Sequence, residues 1–263
     1  MYKKNIITGT NLHVSEIGLG AGPIGGLYQQ ISDNNASKAI NLSIKSGINF
    51  IDTAPYYGMG LSERRVGDGI REMPPSDYVI STKVGRLLIP SKKVSNIGEY
   101  INPMPFEPKF DYSYDGIMRS FEDSIQRLGL PKIDILYIHD LDKITHGDDF
   151  NHHFRKAMDS GYKALDELRS NGQIQAFGLG VNDYRVCEKA MEHGDFNCFL
   201  LAGRYTLLEQ DALITFLPKC ENRNISVIVG GPYNSGILAT GVKDSNKTVH
   251  YNYDKAPASI IDK

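Results

Sequence analysis

The 263-residue chain has no tryptophan and only three cysteines. Cys187, Cys198 and Cys220 are odd in number, widely spaced and free of any C-x-x-C pair, so a disulfide scaffold is not expected and reduced thiols of a cytoplasmic protein are. An excess of charge of one sign is also missing. Lys and Arg number 29 against 31 Asp and Glu, a formal net charge of −2, which gives no electrostatic reason to expect nucleic acid or an anionic membrane as partner. No apolar run approaches the roughly 20 residues of a membrane span. The opening MYKKNIITGTNLHV lacks the apolar stretch of a signal peptide. The expectation from these bulk features is a soluble, intracellular, single-domain protein, residues 1–263.

What is present is a steady strand–helix alternation. Residues 4–14 read as a short hairpin, and Glu16–Gly20 as a first barrel strand running into a glycine loop, AGPIGG. Asp33 is a good N-cap for a helix that ends at Gly47. Strands follow at Ile48–Ala54, Tyr78–Val84, Ile133–Asp140, Ala176–Val181, Asn197–Ala202 and Ile225–Gly230. Helices are expected from Leu61 with Ser62 as its cap, at Tyr114–Leu128, Gly161–Ser170, Asp183–Glu192 and about Glu209–Glu221. Such βα repetition implies a parallel sheet, and its almost continuously apolar strands imply one covered on both faces. Gly85–Ser113, with four prolines and no period, reads as a long functional loop, and Leu141–Asp159 as a polar one. The fold expected is an α/β (β/α)8 TIM barrel with an N-terminal hairpin. Only seven βα strands are counted, so the eighth βα unit is expected to be missing and the chain to be a C-terminally incomplete barrel.

The strand ends carry the chemistry. Asp52 ends one strand, Lys83 the next and His139 the one after. Tyr57 follows Asp52 by five residues on a Pro/Gly-rich turn. In a parallel barrel all strands finish at one face, so these four groups converge on one pocket. Singly, each has a bland reading: a turn aspartate, a half-buried tyrosine, a snorkelling lysine, a core histidine. Together they make a general acid–base set. A phenol titrates near 10, a neighbouring ammonium is expected to lower that value, and Asp52 to hold Lys83 charged. His139 is placed to bind the substrate oxygen. No side chain is a hydride source, which implies a nicotinamide. The Gly20–Gly25 stretch matches GxGxxG, but Pro23 withholds an N–H and the helix begins only near Asp33, which argues against a Rossmann site. His146, His152 and His153 with Asp148 and Asp149 lack metal-ligand spacing and read as a solvated face, so no metal is expected. Lys92 and Lys93 read as exposed charge. Arg204 and Tyr205 suit either a place near the cofactor or substrate or a salt bridge closing their loop.

DTAPYYG, the following G-x-S-E-x-x-x-G (Gly60, Ser62, Glu63, Gly67), STK and IHD together resemble the aldo-keto reductase superfamily, in order across nearly the whole chain. GLGAGPIGG, FDYSYDGIMRS, LLAGRYTLLEQ and GGPYNSGILA are most similar to its D-threo-aldose 1-dehydrogenase and L-fucose dehydrogenase branch, with pyridoxal 4-dehydrogenase and L-galactose dehydrogenase also similar. The resemblance implies that Asp52, Tyr57, Lys83 and His139 form a catalytic tetrad with Tyr57 as acid/base. It implies NAD or NADP as cofactor and oxidation of an aldose at C1 to the lactone. Gly20, Ala21 and Gly22 would lie beside the nicotinamide, Asn182 would bind its carboxamide, and Pro232, Tyr233, Asn234, Ser235 and Gly236 would form the pyrophosphate loop. Val181, Ala202 and Gly230 stand where many members have serine, glutamine and a ring-stacking tyrosine, so Tyr233 is a candidate for the missing stack. Other outcomes left open are an aldehyde reductase or pyridoxal dehydrogenase, a non-catalytic nicotinamide-binding protein and an inactive fragment.

Overall fold

A computed structural model describes residues 2–92, 96–242 and 248–262; Lys93 falls outside them. The hairpin β1 (Lys4–Ile6) and β2 (His13–Ser15) precedes a seven-stranded parallel sheet. Its strands run in spatial order β3 (Leu19–Gly20), β4 (Phe50–Asp52), β5 (Val79–Val84), β8 (Ile135–His139), β9 (Ala176–Val181), β10 (Cys198–Ala202) and β11 (Ser226–Gly230). Helices α1 (Asp33–Lys45), α2 (Leu61–Ile70), α3 (Tyr114–Leu128), α6 (Tyr162–Ser170), α7 (Tyr184–Ala190) and α8 (Phe216–Asn222) cover the outside. This is the expected (β/α)8-type barrel wall, curled but unpaired between β3 and β11 among the described residues.

Strand alternation divides the core in two. Ile51, Ile80, Leu136, Phe177 and Phe199 point outward into the helix layer. Phe50, Val79, Ile135, Tyr137 and Leu200 point inward, and the hairpin residues Ile7, Leu12 and Val14 join them as a plug at the N-terminal end of the barrel. The opposite end is left free for polar groups. Amphipathic helix α3 shows how local signals set an element. The Ser113 hydroxyl accepts from Gly116 N at 3.1 Å, Ile117, Phe121 and Leu128 are buried, and Gly129 stops the helix at φ 61°.

Several expected details differ. Ser32, not Asp33, caps α1, because the Ser32 hydroxyl accepts from Asn35 N while Asp33 already belongs to the first turn. Ser62 does not cap α2; Gly60 does, at φ 92°. Gly85–Ser113 is not structureless, since β6 (Arg86–Pro90) and β7 (Phe106–Phe110) form an antiparallel hairpin above the barrel mouth. Leu141–Asp159 is mostly helical, with α4 (Lys143–His146) and α5 (Phe150–Lys156). His146 and His153 are not on a solvated face. They are half-buried, with rings 4.2 Å apart, and His146 lies edge-on to Phe110 and Tyr112. The expected sixth helix divides into a 3-10 turn at Asp211–Leu213 and α8. Beyond β11 come α9 (Ile237–Thr240), a second small hairpin of β12 (His250–Tyr251) and β13 (Asp254–Lys255), and α10 (Ala258–Ile261).

Candidate active site

Asp52 ends β4, Lys83 lies one residue before the end of β5, and His139 ends β8, so parallel register brings the three to one rim. Tyr57 is carried over that rim by the turn after β4. The turn is fixed by backbone contact between two glycine segments: a Cβ on Gly58 would lie 2.3 Å from the Gly25 carbonyl oxygen, and one on Gly25 2.7 Å from the Tyr57 carbonyl carbon. Only hydrogen fits on either side, which links AGPIGG to PYYG and sets the height of the phenol. The Ser62 hydroxyl donates to Ala21 O at 2.7 Å and lies 2.9 Å from the Thr53 hydroxyl, tying β3 and β4 to α2. Glu63 is fully buried and accepts from Thr82 of β5 and from Arg127 of α3. Gly67 lies so close to α3 that a Cβ would sit 1.7 Å from Leu128 O. The G-x-S-E-x-x-x-G segment therefore braces the strand ends that bear Asp52 and Lys83.

Lys83 is 1% exposed. Its ammonium donates to Asp52 Oδ2 at 2.7 Å and to Thr53 O at 2.8 Å, and lies 4.6 Å from the centre of the Tyr57 ring. Ser81 donates to the other Asp52 oxygen at 2.7 Å. Gly180, opposite, leaves room for the lysine stem, since a Cβ there would lie 3.4 Å from Lys83 Cε. The Tyr57 hydroxyl makes no hydrogen bond among the described residues, and its ring lies against Tyr100 and edge-on to His139. The expected acidification of this phenol is not found. Burial raises its pKa well above 10, the carboxylate of Asp52 adds to the rise, and Asp140 contributes further. Arg86 is the cation that opposes it; Lys83 faces the ring, with its hydrogen bonds given elsewhere.

His139 is held neutral, its pKa pushed well below 6.5 by burial and then by the positive charges of Arg86 and Lys83. Its Nδ1 is buried without a partner. The next residue, Asp140, adopts φ 47° and is ion-paired to Arg86. The Arg86 guanidinium lies 4.1 Å from the centre of the Tyr56 ring and 4.8 Å from that of Phe110. Sequence reasoning missed Arg86 inside a supposed loop and Asp140 as a group in its own right, although IHD displayed the latter.

Two cavities meet at Tyr57. A small one, about 220 Å³, is lined by Tyr57, Lys83, His139, Asp140 and Asn182. A large one, about 970 Å³, follows the unpaired edge between β3 and β11, from the hairpin residues Ile7 and Val14 past Gly20, Gly22 and Asp52 to Pro232, Tyr233, Asn234 and Ser235. Ala21 is instead fully buried in the core, and Gly236 caps α9. Tyr233 is 61% exposed and lines only the large cavity, whereas Tyr253, at the turn between β12 and β13, lines both together with Tyr57. That turn is pinned to the barrel: Asn252 N donates to Asn234 Oδ1 at 2.9 Å and Tyr253 N to Ser235 Oγ at 2.8 Å. Arg204 forms no salt bridge among the described residues; it donates to Asn252 on the same turn. Nothing in the sequence period announced Tyr253.

A profile of the Aldo/keto reductase family matches residues 16–257. Pyridoxal 4-dehydrogenase of Microbacterium luteolum is 43% identical, the alignment covering 98% of this chain and 78% of that one. D-threo-aldose 1-dehydrogenase of a Pseudomonas species is 33% identical, over 96% and 75%. Among solved structures, an aldo-keto reductase from Bacillus halodurans in its holo form superposes with a TM-score of 0.72 at 23% identity, covering 96% of this chain and 74% of that one.

Proposed function

The chain belongs to the aldo/keto reductase family and is an NAD(P)-dependent oxidoreductase, and from that premise we propose that it oxidises the hemiacetal carbon of a small cyclic substrate, an aldose or pyridoxal, to the lactone. The carrying observation is the convergence of Tyr57, Lys83 and His139 on the small cavity, with Asp52 pinning Lys83 behind them and the Tyr57 hydroxyl left without a hydrogen bond among the described residues. The names of the two relatives support the substrate class, since aldoses and pyridoxal both exist as cyclic hemiacetals in water.

The residues present suit a nicotinamide. Asn182 Oδ1 is buried without a partner among the described residues, on a side chain that lines the small cavity, and such an acceptor suits the N–H donors of a carboxamide. Asn182 would hold that end, and the large cavity past Gly20, Gly22, Pro232 and Tyr233 would take the remainder. When bound, the cofactor supplies the hydride acceptor. The chain's own residues then handle the proton. Neutral His139 orients the substrate hydroxyl beside Tyr57. The phenolate form of Tyr57 takes the hydroxyl proton, and in reverse the phenol returns it. Lys83, fixed by Asp52 and Thr53 O, holds the ring face and keeps the site's charge balanced.

Replacing Tyr57 by Phe is expected to lower turnover of the preferred aldose or pyridoxal by about 10²- to 10⁴-fold. NAD(P) binding, followed by fluorescence quenching or thermal stabilisation, should persist. Retention of near-full turnover by Tyr57→Phe would end the assignment.

A further inference from the structure

Asp140 lines the small cavity and has no part in the proton transfer just described. Asp140 follows His139 directly, and its left-handed backbone, a conformation aspartate tolerates better than most residues, ends the strand beside the cavity it lines. Its Oδ2 pairs with Arg86 and lies 3.5 Å from His139 Nε2. Arg86 cannot follow any movement of the carboxylate, because its guanidinium is held against the rings of Tyr56 and Phe110 and is itself 92% withdrawn from solvent, an exposure of 8%. The other oxygen, Oδ1, takes no hydrogen bond among the described residues. A carboxylate anchored by one oxygen and presenting the other to a cavity is a preorganised acceptor for an O–H donor.

Resting on the reading above, we propose that Asp140 is a specificity-determining residue: its free oxygen accepts a hydrogen bond from the substrate hydroxyl that stands nearest the reacting hemiacetal group. His139 meets the reacting oxygen, and the neighbouring side chain meets the neighbouring substituent. An aldose carries that group as its 2-hydroxyl, on the adjacent carbon, and pyridoxal as its ring 3-hydroxyl, one carbon farther out, so either can supply the O–H donor. A simple aldehyde lacks it. A site built to accept from a hydroxyl rejects the deoxy analogue, because the carboxylate would then be buried without its donor.

The test compares binding and turnover. Calorimetric titration of the NAD(P)-loaded protein would use a five-carbon aldono-1,4-lactone against its 2-deoxy counterpart, and 4-pyridoxolactone against its 3-deoxy counterpart. The same pairing, as aldose and 2-deoxyaldose, would be followed by kcat/KM. In the natural protein the hydroxylated member of at least one pair is expected to bind about 10- to 100-fold more tightly, the range of a hydrogen bond to a charged acceptor; which pair discriminates identifies the source of the hydroxyl. Asp140→Asn suits the same backbone conformation, and its amide oxygen must stay on Arg86, a donor, which turns the NH2 toward the cavity. The discrimination should then fall to a few-fold. A discrimination near one in the natural protein, absence of binding by every lactone, or equal losses for both members of each pair in Asp140→Asn overturns the assignment; the first two need no variant to fold. Asp140-dependent lactone discrimination without turnover of any sugar or pyridoxal upholds it while rejecting the oxidation reading.

Discussion

The Lys83–Asp52 pair is the part of the site whose energetics can be worked most directly. Replacing Lys83 by Met keeps the stem that Gly180 accommodates and removes only the charge. Asp52, with a side chain 12% exposed, would then retain Ser81 as donor but lose its cation, and Thr53 O would lose its donor. Removing one partner of a buried pair costs about 3–5 kcal/mol, because the remaining charge stays desolvated. At about 2–4 °C per kcal/mol for a chain of this size, the midpoint should fall by about 6–20 °C. Asp52→Asn alone should also destabilise, since Lys83 is then the unpaired charge. The double variant should recover about 0.5–3 kcal/mol relative to the sum of the singles. Urea unfolding by circular dichroism on all four proteins gives the cycle. A loss below about 1 kcal/mol in Lys83→Met, or strict additivity in the double variant, would show that the two charges are not a coupled buried unit.

Other outcomes follow from the same geometry. Because burial raises the Tyr57 pKa, its protonated form persists through neutral pH, so kcat/KM for oxidation should climb with pH up to and beyond about 10, while that for reduction stays flat to a similar value; pH–rate profiles in both directions check this, and an oxidation plateau below pH 8 would contradict it. His146 titrates at about 4 in the folded chain, lowered by burial and then by His153, against about 6.5 when unfolded. The unfolded state therefore binds more protons between these values, stability should fall as pH drops from 6.5 toward 4, and His146→Gln should flatten that part of the denaturation-midpoint curve. Gly67→Ala should destabilise by about 1–3 kcal/mol or more by forcing α2 away from Leu128, read as a lowered urea midpoint.

The elements most legible in the sequence are those whose surroundings match their local pattern. β8 and β9 are buried on both faces, and their almost continuously apolar runs say so; α3 has a serine cap, a clear apolar stripe and a glycine stop. The convergence of the tetrad candidates was legible for the same reason, because a residue at the end of a parallel strand needs no further information to reach the rim. β6 and β7 were hidden by Pro90 and Pro108, which a two-stranded antiparallel ribbon tolerates where a central strand would not. Arg86 was hidden with them: Gly85, at φ 92°, breaks β5 and redirects the chain, so a position three residues beyond Lys83 carries no strand parity. α4 and α5 place His146 and His153 in an aromatic cluster, and their polarity alone suggested water. Tyr253 reaches the pocket through hydrogen bonds from its turn to Asn234 and Ser235, a tertiary relation without local signature.

The expectation that failed most informatively concerns the lysine. Adjacency in a pocket suggested that an ammonium would acidify the phenol, yet an ammonium acts most strongly on a charge it can face directly. Lys83 gives its hydrogen bonds to Asp52 and to a backbone carbonyl, and lies 4.6 Å from the centre of the Tyr57 ring without a hydrogen bond to the phenol among the described residues. Its charge is thus largely matched by a carboxylate that itself disfavours a phenolate, and burial decides the outcome. Neutral His139, between Arg86 and Lys83, contributes no charge of its own. Tyr57 therefore rests protonated, which on the proposed reading leaves it ready to act as an acid, with oxidation beginning only from the minor phenolate form. Whatever raises that population serves oxidation directly: higher pH, or a substrate hydroxyl that hydrogen-bonds the phenolate oxygen in place of the solvent it has lost.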